Sequence, residues 1–273
     1  MLCEIARVSR SGYYRWLNRL GKQDRDYDDF LLIKEIFEKG KCKLGWRQIQ
    51  IRLYVNHNIT MNHKKIKRIK IKYNLITKIR RRNPYKAIMK KTSEHRTFDN
   101  ILDRNFNQII PRKVFCTDIT YLYYSHGRKA YLQTIKDIAT KEIVSFELSN
   151  NISMSFVLKS IDNLKDIGIL KNKSIIHSDQ GFHYTNPEYI QRVKKLNLKQ
   201  SMSRKGNCID NAPMESFFGH LKDDVDYKPA RTFNELSDMI SKYMDYYNNK
   251  RYQWGIKKMT PVKYRDHLMT QLT

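Results

Sequence analysis

The order of strand-like and helix-like segments after Val114 constrains the fold more than any other feature of this sequence. Three segments rich in Tyr, Ile, Leu and Thr predict consecutive antiparallel strands, at 114–124, 129–138 and 142–148. A short apolar strand at 174–177 and an edge strand at 199–202 then alternate with segments of helical periodicity at 153–167, 187–196 and 211–225. The order βββαβαβα predicts an α/β fold, a ribonuclease-H-like mixed sheet flanked by helices.

The N-terminal part is basic and has a helical pattern. Residues 1–113 hold 29 Lys and Arg against 10 Asp and Glu, and residues 39–93 contain no acidic residue. Apolar residues at helical spacing predict helices over 29–39 and 47–54, and a third helix that begins after an N-cap at Asn62. We therefore predict an N-terminal all-α helix-turn-helix region.

These patterns also give domain boundaries. We predict a basic helix-turn-helix DNA-binding region over residues 1–82, followed by a linker over 83–112 that is rich in turn residues and charges. An α/β catalytic core is predicted over 113–228. A C-terminal helical extension over 229–273 completes the chain, and its apolar residues at helical spacing indicate packing rather than a ligand site.

The charge balance points to a polyanionic partner. The formal net charge is +26, and basic residues interleaved with Tyr and Ile favour nucleic acid over an anionic membrane or an acidic protein. No apolar stretch reaches the length of a membrane span and no secretion signal is evident, so we expect a cytoplasmic protein. A basic stretch without acids cannot neutralise itself, and we expect it to meet phosphate or, as the alternative, solvent. The candidate DNA contacts in this region are Lys64, Lys65, Lys67, Arg68, Lys72, Arg80, Arg81 and Arg82.

Three acidic residues stand out by their positions. Asp118 lies in the middle of the first strand, where a carboxylate among β-formers needs a partner or a metal, although one such Asp alone is more often structural. Asp179 closely follows the strand at 174–177, and Glu215 lies on the helix at 211–225. Sixty residues separate the first two acids and 35 separate the second from the third.

The residues around these acids resemble the OrfB transposases of the insertion sequence three family, within the DDE transposases and retroviral integrases. The matching segments are Gly45-Trp46-Arg47, Thr117 to Tyr121, His177 to Gly181 with Tyr184, Asn207 to Ala212, Glu215 to Phe218 with Leu221 and Lys222, and Tyr247 to Arg251 with Thr260-Pro261. The resemblance covers nearly the whole chain. It implies a bacterial, nucleoid-associated DNA transposase that cuts the ends of its element and transfers the strands.

Physical chemistry explains why this family uses acids. Three carboxylates within a few ångströms repel one another and stay ionised only with a cation among them. Their oxygens suit Mg²⁺ or Mn²⁺, and two such ions can activate an attacking hydroxyl and stabilise a leaving oxygen. We therefore predict Asp118, Asp179 and Glu215 as catalytic ligands of two ions. Zinc is not expected, because the scattered Cys and His residues lack a fourth ligand at metal-site spacing.

Other residues near the acids are weaker candidates. Lys222, Asn211, Arg204 and Lys205 are candidate DNA contacts, and Asp137, His177 and Gln180 are candidate supporting residues. Lys222 and Asn211 share the helix face of Glu215. A helix N-cap is the alternative role for Asn211, and a turn cap is the alternative role for Asp137.

The resemblance also implies partners. These are double-stranded DNA, as terminal inverted repeats and target, further copies of the chain on DNA, and the product of an upstream OrfA frame, either separate or as an OrfA-OrfB fusion. Two other functions stay open at the level of the sequence. One is a catalytically silent DNA-binding regulator of transposition, against which the three acids argue, and the other is a ribonuclease-H-like nuclease without strand transfer.

Overall fold

The structure is a computed structural model that describes residues 7–18, 24–78, 97–167, 174–204 and 206–272. The chain divides into two compact units, Met1–Lys78 and Ile79–Thr273. The candidate DNA contacts Arg80, Arg81, Arg82 and Lys205 lie outside the described residues. None of the described helices is long and apolar enough to cross a membrane.

The first unit is helical, as predicted. Its described helices are α1 (Arg10–Leu17), α2 (Tyr27–Lys39), α3 (Trp46–His57) and α4 (His63–Lys72). The Asn62 side chain caps α4 by accepting a hydrogen bond from the backbone N–H of Lys64. The apolar residues of α2, α3 and α4 recur every three or four positions, so each helix buries one stripe in a shared core.

The second unit is built on a five-stranded sheet in the order β3-β2-β1-β4-β5. The strands are β1 (Val114–Tyr124), β2 (Arg128–Asp137), β3 (Ile143–Ser149), β4 (Ile175–Ser178) and β5 (Lys199–Met202). The first three strands pair antiparallel, β4 pairs parallel to β1, and β5 pairs parallel to β4. This topology confirms the predicted ribonuclease-H-like mixed sheet and places β5 at its edge.

Helices cover both faces of this sheet. They are α5 (Met154–Asp162), α6 (Phe182–Thr185), α7 (Pro187–Lys195), α8 (Ala212–Asp224), α9 (Phe233–Asp245) and α10 (Pro261–Leu272). The predicted helix at 153–167 is α-helical only to Asp162, and residues 163–167 form a 3₁₀ turn. The helix predicted from Asn211 begins one residue later, because residues 208–211 form a 3₁₀ turn and Pro213 suits the first α-helical turn.

The sheet separates two apolar cores. Side chains alternate along β1, so Phe115 faces the core under α5 and α7, whereas Cys116 faces the core under α8 and α9. Tyr247, just after α9, is buried in that second core with Phe217. Helix α9 buries Leu236 and Ile240 in the same core, so the predicted C-terminal extension shares the core of the sheet.

The described part of the predicted linker also packs on the sheet. Leu102 is buried in the α8 core and Phe98 packs against the core on the other face. The backbone N–H groups of Ile101 and Leu102 both donate to the hydroxyl of Ser201 on β5. Residues 97–102 are thus held against the edge strand.

Candidate active site

Asp118 and Asp179 lie at the same level of two neighbouring parallel strands. The register pairs Cys116 on β1 with His177 on β4. Asp118 lies two positions after Cys116, and Asp179 lies two positions after His177. Because side chains alternate along β1, Asp118 faces the side of the sheet that carries α8, as Cys116 does, whereas Asp179 directly follows the last residue of β4. Neighbouring strands are about 4.8 Å apart, so we expect the two carboxylates to lie near each other where the pairing of β1 with β4 ends.

Local hydrogen bonds hold both aspartates. Asp118 Oδ1 accepts from the backbone N–H of Ile119 at 2.8 Å, and Asp179 Oδ1 accepts from that of Gly181 at 2.9 Å. A Cβ at Gly181 would lie 2.8 Å from the same Asp179 oxygen. Glycine therefore permits the tight turn that orients Asp179. Both carboxylates remain half-buried and open to solvent on one side.

Helix α8 presents Glu215 beside β1. Asn211 Nδ2 donates to the carbonyl of Thr117 at 3.3 Å, and Lys222 Nζ donates to Thr120 Oγ1 at 2.5 Å. Glu215 follows Asn211 by one turn and precedes Lys222 by two, so all three share the helix face that contacts β1. The side chain of Glu215 is exposed. The face of α8 that carries Glu215 thus lies along the strand that carries Asp118.

The three carboxylates do not converge on a single metal-binding position. Within the described ranges, no three His, Cys, Asp or Glu side chains lie close enough to hold one metal ion. Like charges repel, and an exposed Glu side chain has several staggered rotamers available. The donor set itself fits a hard divalent cation, because all three side chains offer carboxylate oxygens.

His177 has a structural role. It is fully buried, with Nδ1 2.9 Å from Ser201 Oγ and Nε2 3.2 Å from Ser203 Oγ. Burial lowers the pKa of His177 to about 4, so the ring is neutral and joins β4 to the end of β5. The ring is buried and both of its nitrogens lie within hydrogen-bond distance of serine hydroxyls, so direct support of Asp179 by His177 stays a prediction. Gln180 is half-buried beside Asp179, and its supporting role stays a prediction.

Asp137 caps a turn, which is the alternative that the sequence left open. Its carboxylate accepts hydrogen bonds from the backbone N–H groups of Arg112 and Ala139 and from the hydroxyl of Thr140. Burial raises the pKa of Asp137, while these three donors oppose that shift. The carboxylate therefore fixes the connection between β2 and β3.

Asp210 is an important residue that the sequence reasoning did not single out. Its fully buried carboxylate accepts from Asn100 Nδ2 at 3.1 Å, Arg104 Nε at 2.7 Å and Arg204 Nε at 3.0 Å. The Arg204 guanidinium holds the pKa of Asp210 well below its usual range. This cluster fixes the 3₁₀ turn that leads into α8 and Glu215. The sequence did contain a signal for this ion pair, because Asp210 stands directly before Asn211 and six residues after Arg204.

The roles of two predicted DNA contacts change accordingly. Arg204 does not stand free for DNA, since its guanidinium binds the buried Asp210 and lies 3.4 Å from Asp103. Asn211 is only 5% exposed, and its side chain makes no capping hydrogen bond to α8. It bonds Thr117 instead, and so it attaches the helix to β1.

Three of the five candidate cations on α4 are paired within the first unit. Lys65 Nζ lies 2.6 Å from Asp29, Arg68 Nη2 lies 2.6 Å from Asp26, and Lys72 pairs with Asp24. These three cations are therefore paired with acids that lie outside the basic stretch, which the sequence reasoning did not consider. Acids at and before the start of α2 reach across to α4, although they lie far away in sequence.

The remaining two α4 cations, Lys64 and Lys67, lie on an exposed face. Lys67 Nζ is 4.8 Å from the centre of the Trp46 ring, and the guanidinium of Arg47 is 5.0 Å from the same ring. A ring with two cations over it forms a compact basic surface. Of the basic surfaces described in this unit, this one best fits a phosphate backbone.

Models of known protein families match most of the chain. A model described as an integrase core domain matches residues 110–208, and a second model with the same description matches residues 215–269. A model described as an HTH-like domain matches residues 24–83. The first match contains Asp118 and Asp179, and the second begins at Glu215.

Curated relatives are similar over nearly their full lengths. The chain is 32% identical over 268 residues to the putative transposase InsK for insertion sequence element IS150 of Escherichia coli, which covers 97% of this chain and 92% of the relative. It is 35% identical over 221 residues to an uncharacterized transposase-like protein of Haemophilus influenzae, covering 77% and 96%. It is 26% identical over 226 residues to transposase InsF for insertion sequence IS3A of Escherichia coli, covering 81% and 77%.

Proposed function

The chain belongs to the OrfB transposases of the insertion sequence three family, and on that basis we propose that Asp118, Asp179 and Glu215 are its catalytic residues. It is a DNA transposase of an insertion sequence, an enzyme of the polynucleotidyl transferase type. The observation that supports the proposal is the register of β1 and β4, whose last pair, Cys116 and His177, lies two positions before Asp118 and Asp179. The hydrogen bonds of Asn211 and Lys222 then place the Glu215 face of α8 against β1.

The proposed cofactor is a pair of divalent ions, Mg²⁺ or Mn²⁺. When bound, such ions activate the attacking oxygen and stabilise the leaving oxygen of an in-line displacement. The chain itself would hold the ligand oxygens. Asp118 lies on a central strand, Asp179 lies in a turn that needs a glycine, and Glu215 lies on a helix that packs on the sheet. The set contains oxygen donors only, whereas zinc prefers nitrogen and sulfur ligands.

The proposed reaction has two phosphoryl transfers in one site. Water attacks a phosphodiester at the end of the element and releases a 3′-hydroxyl. That hydroxyl then attacks a second phosphodiester, so one P–O bond forms as another breaks and no ATP is required. Lys222 lies on the Glu215 face of α8 and beside Thr120, where its ammonium can hold a phosphate oxygen of the reacting strand.

The proposed partners are double-stranded DNA, as terminal inverted repeats and target, and further copies of this chain on that DNA. In the first unit, we assign the phosphate contacts to Lys67 and Arg47, which lie over the Trp46 ring, and to the exposed Lys64. Contacts by Arg80, Arg81, Arg82 and Lys205 stay predictions. An upstream OrfA product, separate or fused, is a further proposed partner.

The decisive experiment compares the wild-type chain with Asp118→Asn. Cutting of a terminal-repeat duplex with Mg²⁺ or Mn²⁺ should fall by at least about 1000-fold, because one ligand of the reacting centre is lost. The matched control is Asp226→Asn, at an exposed position beyond α8, which should cut normally. Undiminished cutting by Asp118→Asn refutes the proposal. Cutting without joined products in the wild type would indicate a nuclease.

A further inference from the structure

The distal half of the β1–β2 hairpin carries an aromatic surface. Beyond Cys116, β1 no longer pairs with β4. Burial then alternates along the strand, with Leu122 and Tyr124 in the core and Tyr121 and Tyr123 46% and 51% exposed. We call Tyr121, Tyr123, Lys129 and Tyr131 the tyrosine face.

Strand pairing fixes the geometry of the tyrosine face. Tyr123 lies directly opposite Lys129, and Tyr121 lies opposite Tyr131. Lys129 Nζ lies 5.5 Å from the centre of the Tyr121 ring and 5.7 Å from that of Tyr123. The rings of Tyr121 and Tyr131 meet edge to face at 6.2 Å. The rings and the cation are thus organised before any partner binds.

The charge around the tyrosine face is positive. No acidic residue occurs between Asp118 and Asp137 in the sequence. Lys129 is exposed, and it forms no ion pair with a carboxylate of the described ranges. Its ammonium is therefore available to an anion, in contrast to the paired Lys65 and Arg68 of α4.

We propose that the tyrosine face binds a DNA strand with unpaired bases, with bases stacked on Tyr121 and Tyr123 and a phosphate on Lys129. Exposed aromatic rings beside a cation are the chemistry of single-strand binding, because every base offers a flat π face. In an intact duplex those faces are already stacked on one another. The inference rests on the proposed function, in which the chain cuts DNA strands. Side chains alternate along β1, so the tyrosine face lies on the side of the sheet opposite Asp118 and would hold DNA away from the reacting bond.

A second copy of this chain is the rival occupant of the tyrosine face. Exposed tyrosines are also common at protein interfaces. Charge complementarity favours DNA, since the chain carries a net charge of +26 and two copies would bring like charges together. A DNA strand supplies flat bases that can stack on the tyrosine rings and a phosphate that can pair with Lys129.

The test measures binding of the full-length chain to a labelled oligothymidylate of about twelve nucleotides, without divalent ions. Salt is kept at about 200 mM to weaken contacts that are purely electrostatic. The Tyr121→Leu/Tyr123→Leu variant should bind at least about 10-fold more weakly, because two stacking surfaces are lost. The matched Tyr121→Phe/Tyr123→Phe variant keeps both rings and should bind as the wild type does. A blunt duplex of equal length should bind all three proteins alike.

Several outcomes would overturn the inference. One is equal oligothymidylate affinity for the wild type and the double Leu variant. Another is an equal loss in the double Phe variant, which would implicate the hydroxyl groups. A smaller oligomer in the double Leu variant, with unchanged DNA binding, would assign the surface to a second copy of the chain.

A crosslinking measurement tests the inference independently of the folding of any variant. Oligonucleotides with 5-iodouracil, irradiated on the wild-type chain, should crosslink to Tyr121 or Tyr123. Crosslinks confined to other residues would contradict the proposal. Binding to oligothymidylate should persist in Asp118→Asn, so failure of this inference and failure of the catalytic assignment are distinguishable.

Discussion

The loops that follow β4 and β5 begin at the same edge of the sheet, and each contains an aspartate. The two aspartates differ in burial and in the charges that surround them. After β5, Asp210 is fully buried and bound by the guanidinium groups of Arg104 and Arg204. After β4, Asp179 stays half-buried, and no cation of the described residues forms an ion pair with it. The protein neutralises the structural acid with its own arginines, and the other acid is the one that we propose binds a cation from solution.

The largest expected effect is on the loop after β4. Asp179→Asn keeps the shape of the side chain and an oxygen for the N–H of Gly181, so the folded state should keep its stability. Joining of a pre-cut 3′-hydroxyl end should fall by at least about 1000-fold, since a ligand charge is lost. Strand-transfer assays measure this effect. If Asp179→Asn joined DNA ends at the wild-type rate, Asp179 would not bind a catalytic cation and the proposed contrast with Asp210 would be wrong.

The loop after β5 should respond in the opposite way. Asp210→Asn removes a buried charge from two arginines and should cost about 2 kcal/mol, which lowers the melting midpoint of a unit this size by roughly 4–8 °C. Asp103→Asn is the control, because Asp103 is 75% exposed and only touches Arg204. Calorimetry of both variants checks the difference, and equal midpoints would contradict it.

The Asp210 cluster also has a pH signature. Arg204 holds the pKa of Asp210 below its ordinary value of 3.8. A carboxyl whose pKa is lowered by folding stabilises the fold above its unfolded value, and this stabilisation is lost as the pH falls through the folded value. The difference in stability between wild type and Asp210→Asn should therefore narrow in acid.

The effect of His177, which joins the two strands that end in these loops, is confined to acid. Burial lowers its pKa from 6.5 to about 4, so between these values the unfolded chain binds a proton that the folded chain does not. Stability should fall by up to about 3 kcal/mol as the pH drops through this window. Urea unfolding at several pH values should show a flatter dependence for His177→Gln than for His183→Gln. Parallel curves would exclude this role.

The smallest effect extends the comparison to helix α4. Lys64→Gln should reduce the slope of DNA affinity against salt by about 1, because an exposed cation is lost. Lys65→Gln should reduce it less, since Asp29 already lies 2.6 Å from that ammonium. Titrations at several salt concentrations give both slopes. Equal reductions would show that the internal pairs open when DNA binds.

The sequence predicted the elements of the sheet well, because local pattern dominates there. The first strand and the edge strand have the predicted bounds, and Asp118 stood out as an acid among β-formers. The register between β1 and β4 could not be derived from either strand alone. It depends on the α5 segment that returns the chain to the sheet, and it is what pairs Asp118 with Asp179.

The errors concern long-range pairs of charges. The contact of Lys65 with Asp29 joins two helices 36 positions apart, so a count of acids within the basic stretch could not reveal it. Arg204 looked available for DNA because nothing in the sequence shows that Asp210 is buried beside it. The side-chain arrangement of Glu215 was equally out of reach, since rotamers on an exposed helix face depend on what binds there.

The contact of Tyr247 with Phe217 has a consequence for damaged copies of such genes. The two rings meet edge to face at 4.9 Å, and Tyr247 is 1% exposed in the core beneath the catalytic helix. A premature stop codon before position 247 would remove residues that pack against α8 and would expose apolar surface to proteases. Broken relics of the element that end there should accumulate no stable polypeptide, and so should not act as dominant inhibitors of intact copies.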